Sequence, residues 1–162
     1  MGALADAKVG DYVNANFAAS YQKVGTFRLV NGEKQGGNVA GYFCTPDGRV
    51  LHAVAGPVGA AEFLREARWA VEMYKLALLE GRGNEARSKA FFRRVHALRL
   101  WREHKYDIRA GAKRAHRPAL AGQGQVHRIL ALHPLPGIEQ VYKYIFEMAL
   151  NEKVSTAPVE ES

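Results

Sequence analysis

The stretch VAGYFCTPDGRVLHAVAGP, residues 39–57, constrains the fold more than any other part of the chain. Two apolar runs flank a Pro-Asp-Gly sequence, in which Pro46 presets φ and Gly48 supplies the positive φ that closes a tight turn. Apolar runs on both sides of such a turn are typical of a β-hairpin. We therefore predict that residues 39–44 pair with residues 49–55.

A long helix is predicted directly after this hairpin, over residues 59–81. Its apolar residues recur at helical spacing, and the main stripe consists of Phe63, Ala67, Val71, Tyr74 and Leu78. Acidic residues along such a helix are normally solvent-facing charges. We expect this of the helix's acids Glu62, Glu66, Glu72 and Glu80.

A second helix is predicted over residues 85–105, so that the two helices form an αα-hairpin. Gly81 and Gly83 end the first helix, and Asn84 can cap the second. The apolar stripe of the second helix consists of Phe91, Val95, Leu98 and Trp101, and we expect the remaining aromatic residue, Phe92, to lie off the core.

The remaining segments give weaker patterns. Residues 4–17 have the loose spacing of a short amphipathic helix, and residues 18–30 are rich in strand-forming residues. The Gly-rich run NGEKQGGN, residues 31–38, predicts a flexible loop. An exposed connection is predicted for residues 106–124, another amphipathic helix for residues 138–149, and a disordered tail for residues 154–162.

The order of strand, Pro-Asp-Gly turn, strand, glycine and long helix resembles the C-terminal half of thioredoxin-like proteins. The segment LADAKVGDYVNANFAASYQKV also looks like the end of that family's first helix and its following strand. The resemblance covers about residues 4–79. It implies an α/β fold in which a truncated thioredoxin-like hairpin and helix, residues 1–81, carry a basic helical extension, residues 82–153, and the tail.

The resemblance lacks the part of the family that performs redox chemistry. In thioredoxin-like proteins a first strand and a CxxC helix precede the matching segment, and a cis-proline stands where this chain has Asn38-Val39. The resemblance therefore implies a non-catalytic interaction or assembly module. The alternative is part of a thiol-disulfide oxidoreductase whose CxxC lies upstream of Met1 or in a partner.

Cys44 is the single cysteine of the chain. One thiol excludes an intrachain disulfide, a CxxC pair and a thiolate-rich zinc site. We expect a buried or half-buried structural cysteine, with a redox thiol as the minor alternative. No signal-peptide pattern or long apolar run is visible, so we expect a cytoplasmic chain without a membrane span.

The histidines match no known zinc signature in their spacing, and no HExxH motif is present. Of the six histidines, we expect only those in or after the basic segment to be able to gather as metal ligands. These are His104, His116, His127 and His133. The other two are His52 and His96. The sequence therefore predicts scattered surface or core histidines, and neither a metal nor a cofactor.

The charge of the chain, +7 overall, is concentrated between Arg82 and Arg128. This segment has thirteen Lys and Arg residues against three Asp and Glu residues, a net charge of +10. Arginine suits bidentate contact with carboxylate or phosphate. We expect an acidic protein partner or a homo-oligomer to bind here, with nucleic acid as the alternative. The predicted contact residues are Arg93, Arg94, Arg99, Arg102, Lys113, Arg114 and Arg117.

Overall fold

A computed structural model describes residues 2–22, 27–36, 38–113 and 120–154, which form a mixed α and β fold. The elements are α1 (Ala7–Asn16), β1 (Phe27–Val30), β2 (Glu33–Gly36), β3 (Ala40–Cys44), β4 (Val50–Ala55), α2 (Ala60–Gly81), α3 (Glu85–His104), α4 (Gln123–Leu132) and α5 (Ile138–Leu150). Short 3₁₀ segments span Ala3–Ala5 and Ile108–Lys113. Within the described ranges, no helix has the length and apolar character needed to cross a membrane.

The predicted hairpin is confirmed as β3 and β4, which pair antiparallel. Gly48 has φ of +80°, and the Thr45 N–H donates to the Arg49 carbonyl oxygen at 2.9 Å across the turn. The register shifts between two successive pairs, Phe43 with His52 and Cys44 with Val50. Leu51 is therefore the extra residue of a β-bulge. Its backbone has no partner in the regular pattern of hydrogen bonds between the two strands.

The hairpin is packed between helices on both faces. On one face, Val50 and Ala53 join a cluster supplied by α4 and α5: Val126, Ile129, Leu130, Val141, Ile145 and Ala149. On the other face, Phe43 and Val54 pack against Ala67 and Ala70 of α2. The bulge lets both Val50 and Ala53 reach the same cluster, which strict alternation would prevent. β4 is thus the buried centre of the fold.

The αα-hairpin is confirmed, with its turn where the glycines predict it. A Cβ on Gly81 would collide with the Ser88 hydroxyl unless that side chain rotated away, so glycine favours the close approach of α2 and α3 there. The Asn84 side chain caps α3 by accepting a hydrogen bond from the Arg87 N–H at 3.0 Å. Phe91 and Phe92 pack with Ala77 of α2 in a third cluster.

The predicted loop at residues 31–38 is wrong, because residues 33–36 form β2 and pair with β1. Asn31 and Gly32 both have positive φ, +53° and +81°. This conformation is favoured by Asn-Gly and joins two strands through a tight hairpin turn. The Asn-Gly pair is the sequence signal of this hairpin. The glycines that follow the pair made the segment look like a flexible loop.

The prediction for the aromatic residues of α3 is partly wrong. Phe91 is buried as expected, but Trp101 is 52% exposed, and Phe92, which was expected off the core, is only 1% exposed. The reason is that α3 packs against both α2 and α4, so its buried surface differs from the face that the predicted stripe defines. Residues 114–119 of the predicted connection and 155–162 of the predicted tail lie outside the described residues.

Candidate functional site

Three buried histidines meet at the centre of the fold. His52 comes from β4, His96 from α3 and His127 from α4. One ring nitrogen of each lies within 4.8 Å of the others, and we call this group the histidine cluster. The prediction that only the four histidines from His104 onward could gather is therefore wrong, because the packing of α3 and α4 on β4 brings together residues that are distant in sequence.

The hydrogen bonds of His96 determine its tautomer. Its Nε2 lies 2.9 Å from the carbonyl oxygen of Leu51, the bulged residue of β4. A carbonyl oxygen only accepts, so Nε2 carries the proton and Nδ1 carries a lone pair. The Nδ1 of His127 lies 2.9 Å from this Nδ1. His127 must therefore donate from Nδ1, which leaves its Nε2 as a lone pair.

Glu66 of α2 orients His52. The His52 Nε2–H donates to Glu66 Oε2 at 2.6 Å, and Arg99 of α3 binds both carboxylate oxygens at 2.7 and 2.9 Å. Glu66 is only 2% exposed, so its predicted place on the solvent face is wrong. The carboxylate is stable inside because a bidentate guanidinium and an imidazole N–H satisfy its oxygens.

Two nitrogens of the histidine cluster have no hydrogen-bond partner among the described residues. They are His52 Nδ1 and His127 Nε2, both inaccessible to solvent. Oε2 of Glu103 lies 3.8 Å from His127 Nε2 and is itself an acceptor. Leaving a buried polar atom unsatisfied costs about 1–3 kcal/mol. The cluster is therefore incomplete as a set of hydrogen bonds.

Burial keeps the three imidazoles neutral. It lowers the pKa of His96 to about 3, and it lowers the pKa of His127 well below its usual value. Burial also lowers the pKa of His52, and the hydrogen bond to Glu66 offsets this only in part. Burial alone would raise the pKa of Glu66, but its hydrogen bonds from His52 and Arg99 hold that pKa well below its usual range. At neutral pH the site thus holds neutral imidazoles beside an ionised carboxylate.

Trp69 of α2 forms one wall of the histidine cluster. Its ring centroid lies 4.8 Å from that of His52, 5.2 Å from that of His96 and 6.1 Å from that of His127. The Arg99 guanidinium stacks over the same indole, 4.7 Å from its centroid. The indole face and the guanidinium together limit the freedom of the rings and of Glu66.

The described residues among those predicted to contact a partner do not share one role. Arg93, Arg94 and Arg102 are exposed on α3. Arg99 is 13% exposed in its side chain and binds Glu66 and Glu103, so it belongs to the surroundings of the histidine cluster. Lys113 ends the second 3₁₀ segment, whereas Arg114 and Arg117 lie outside the described residues.

Cys44 is half-buried at the end of β3, and burial raises the pKa of its thiol to about 11. Because the thiolate is the reactive form, we expect iodoacetamide at pH 8 to alkylate the folded chain about 100-fold more slowly than the urea-unfolded chain. Mass spectrometry over a time course measures both rates. Similar rates in the two states would show that the thiol is accessible and reactive.

Sequence reasoning missed the histidine cluster because it relied on ligand spacing along the chain. A different signal was present. His52 lies within the apolar run VLHAVA and His127 within VHRILAL, so both stand where the pattern predicts core. A histidine in an apolar run is a candidate for burial, and a buried polar side chain needs a partner.

Comparison with known proteins found no matching family model, curated protein or solved structure. The function is therefore argued from the geometry of the site alone.

Proposed function

We propose that this chain is a metal-binding protein whose histidine cluster holds one divalent transition-metal ion, with zinc as the best match. The observation that carries the proposal is the convergence of three neutral, buried imidazoles, in which His52 Nδ1 has no hydrogen-bond partner among the described residues and the Nδ1 atoms of His96 and His127 face each other. An ion in this position would accept the lone pair of His52 Nδ1 and would take the place of the hydrogen bond between the other two rings.

The inner nitrogens are chemically ready to bind an ion. His52 and His96 both use Nε2 for a protein partner, so each has an Nδ1 lone pair to offer. Metal ligation requires the neutral imidazole, and burial already lowers the pKa of each ring. Binding at neutral pH would therefore need little proton release from these two residues.

The separation of two inner nitrogens is close to that found around zinc. A zinc–nitrogen distance of about 2.0–2.1 Å with tetrahedral angles places two ligand nitrogens roughly 3.3 Å apart. The Nδ1 atoms of His96 and His127 are 2.9 Å apart. A shift of a few tenths of an ångström would convert this contact into a pair of ligands.

The outer nitrogens have the acceptors that metal-bound histidines normally use. His52 faces the Glu66 carboxylate, and His96 faces the Leu51 carbonyl. His127 Nε2 lies 3.8 Å from a Glu103 oxygen, and it would carry a proton toward that carboxylate if Nδ1 ligated an ion. Binding of an ion at His127 Nδ1 would therefore replace the Nε2 lone pair that faces the Glu103 carboxylate with an N–H, which that carboxylate attracts.

The ligand types favour zinc over harder cations. Three imidazoles suit zinc, copper or nickel, whereas calcium and magnesium prefer oxygen ligands. The carboxylates of Glu66 and Glu103 are balanced by the guanidiniums of Arg99 and Arg65, so the ligand types rather than the surrounding charge decide the preference. Three protein ligands leave a fourth tetrahedral position for water or another small ligand.

Zinc titration of the chelator-treated protein is expected to give one bound ion per chain. Replacing His127 with leucine should weaken zinc binding by about 100-fold or more, because it removes one of three ligands and keeps an apolar side chain in the core. Isothermal titration calorimetry measures stoichiometry and affinity, and circular dichroism checks that the variant folds.

His133→Ala is the matched control. His133 is exposed and lies directly after α4, so its loss should leave zinc affinity unchanged. Cobalt provides an independent readout, since a site built from three imidazoles should give visible absorption bands that disappear in His127→Leu. Absence of one-to-one binding in the wild type, or equal losses in both variants, would contradict the proposal.

A further inference from the structure

One face of α3 is exposed and carries large apolar side chains among cations. Arg94, Leu98 and Trp101 follow one another at steps of four and three residues and therefore share a face, and Lys105 is the residue that ends the helix. Arg102 lies beside them. These five residues, all exposed, form what we call the α3 ridge, which extends for about 17 Å at a rise of about 1.5 Å per residue.

The apolar part of the α3 ridge is Leu98 and Trp101, which are 49% and 52% exposed. They stand one turn apart, so a single partner side chain could contact both. Trp and Arg are the residue types most enriched among the side chains that dominate protein interfaces. An indole flanked by cations is therefore suited to anchor a partner.

The cations of the α3 ridge differ in whether they already form an ion pair with a carboxylate of this chain. Arg94 binds Glu80 at 2.9 Å. Arg102 has no carboxylate within ion-pair distance in the described part of the chain, and Lys105 Nζ contacts only a carbonyl oxygen, that of Arg102 at 3.3 Å. The free cations thus lie at the C-terminal end, beside Trp101. Charge complementarity requires an anionic partner there.

We infer that the α3 ridge is a docking site for an acidic protein segment that carries a large apolar side chain. This goes beyond the proposed function, since the ridge does not use the histidine cluster. The partner's apolar side chain would pack on Leu98 and Trp101, and its carboxylates would bind Arg102 and Lys105. An amphipathic helix of about three turns matches the length of the ridge.

The surroundings of the ridge favour a protein segment over nucleic acid. Glu80 is paired with Arg94, and Glu103 lies next to Arg102 in sequence and is 43% exposed in its side chain. A phosphate backbone would approach both carboxylates, whereas separate carboxylates of a peptide can be placed to avoid them. Leu98 also offers an aliphatic contact, for which a base edge is a poor partner.

The test uses the full ¹⁵N-labelled chain and a synthetic 14-residue helical peptide with leucines at i, i+3, i+4 and i+7 and glutamates elsewhere. Amide shifts are expected to map to residues 94–105, with an affinity that falls as salt rises. Trp101→Ala and Arg102→Glu should each weaken binding at least tenfold. Both residues are exposed, so both variants should fold.

Arg87→Glu is the matched control, because Arg87 is an exposed arginine at the start of α3 outside the ridge. Its affinity for the peptide should equal that of the wild type. A peptide with lysines in place of the glutamates should not bind. No binding of the acidic peptide, equal losses in Arg87→Glu and Arg102→Glu, or tighter binding of a single-stranded oligonucleotide would each overturn the inference. Zinc affinity of the same variants should be unchanged, which separates this test from that of the metal site.

Discussion

Replacing Glu66 with alanine is expected to lower the free energy of unfolding by about 3–5 kcal/mol, the range found when one partner of a buried ion pair is removed. Glu66 is buried and satisfies two groups at once, the guanidinium of Arg99 and the Nε2–H of His52. Its loss would leave the buried His52 Nε2–H without an acceptor and the largely buried Arg99 guanidinium with Glu103 as its one remaining carboxylate. This is among the largest effects expected of any single substitution here.

Urea denaturation followed by circular dichroism measures this effect, with Glu62→Ala as the matched control. Glu62 lies one turn earlier on α2, is about half exposed and contacts Arg65 only at 3.9 Å, so its loss should change stability by less than about 0.5 kcal/mol. Glu66→Gln keeps the size and one acceptor oxygen and should fall between the two. If Glu66→Ala matched Glu62→Ala, the buried ion pair would be refuted.

The metal-free protein is expected to lose stability as pH falls below about 6.5, the ordinary pKa of histidine. Burial lowers the pKa of His96 to about 3, so between these values the unfolded chain binds a proton that the folded chain does not. Stability therefore rises with pH across this window. At pH 5 His96 alone accounts for a loss of about 2 kcal/mol. His52 and His127 act in the same direction, since their pKa values are also lowered.

Thermal unfolding at pH 7.5 and at pH 5 with a chelator present measures this loss. His133→Ala removes an exposed histidine and should retain the full difference between the two pH values. His96→Gln removes a buried titrating group, so its difference should be smaller, even if its stability is lower throughout. Glu66 adds a further loss only below about pH 4.5, where its carboxylate becomes protonated in the unfolded chain. Unchanged stability between pH 7.5 and pH 5 would contradict the buried, neutral state of the histidine cluster.

The central hairpin and the helices other than α4 could be predicted because their signals are local. Pro46 and Gly48 determine a turn within four residues, and Asn84 caps α3 through an atom of its own side chain. The faces of α3 were harder to predict. Its flank packs against both α2 and α4, so burial follows neighbours that periodicity within one helix does not reveal. For that reason the exposure of Trp101 was missed.

The candidate site could not be predicted from motifs because its members meet only through packing. Glu66 reads as a solvent-facing acid on an amphipathic helix until Arg99 of the next helix is placed against it. His96 obtains its tautomer from the carbonyl of Leu51, which is available because of a bulge. The resemblance to thioredoxin-like proteins stays a prediction, and it contains no indication of this site.

The sequence by itself determined the turn of the central hairpin, the helices other than α4, and where positive charge accumulates, because turn chemistry, capping and net charge depend on residues close together in the chain. Only the tertiary structure decided that His52, His96 and His127 face one another and that Glu66 and Arg99 are buried beside them. The physical reason is that ligand geometry and burial depend on distances in space. Those distances follow from how α2, α3 and α4 pack around β4.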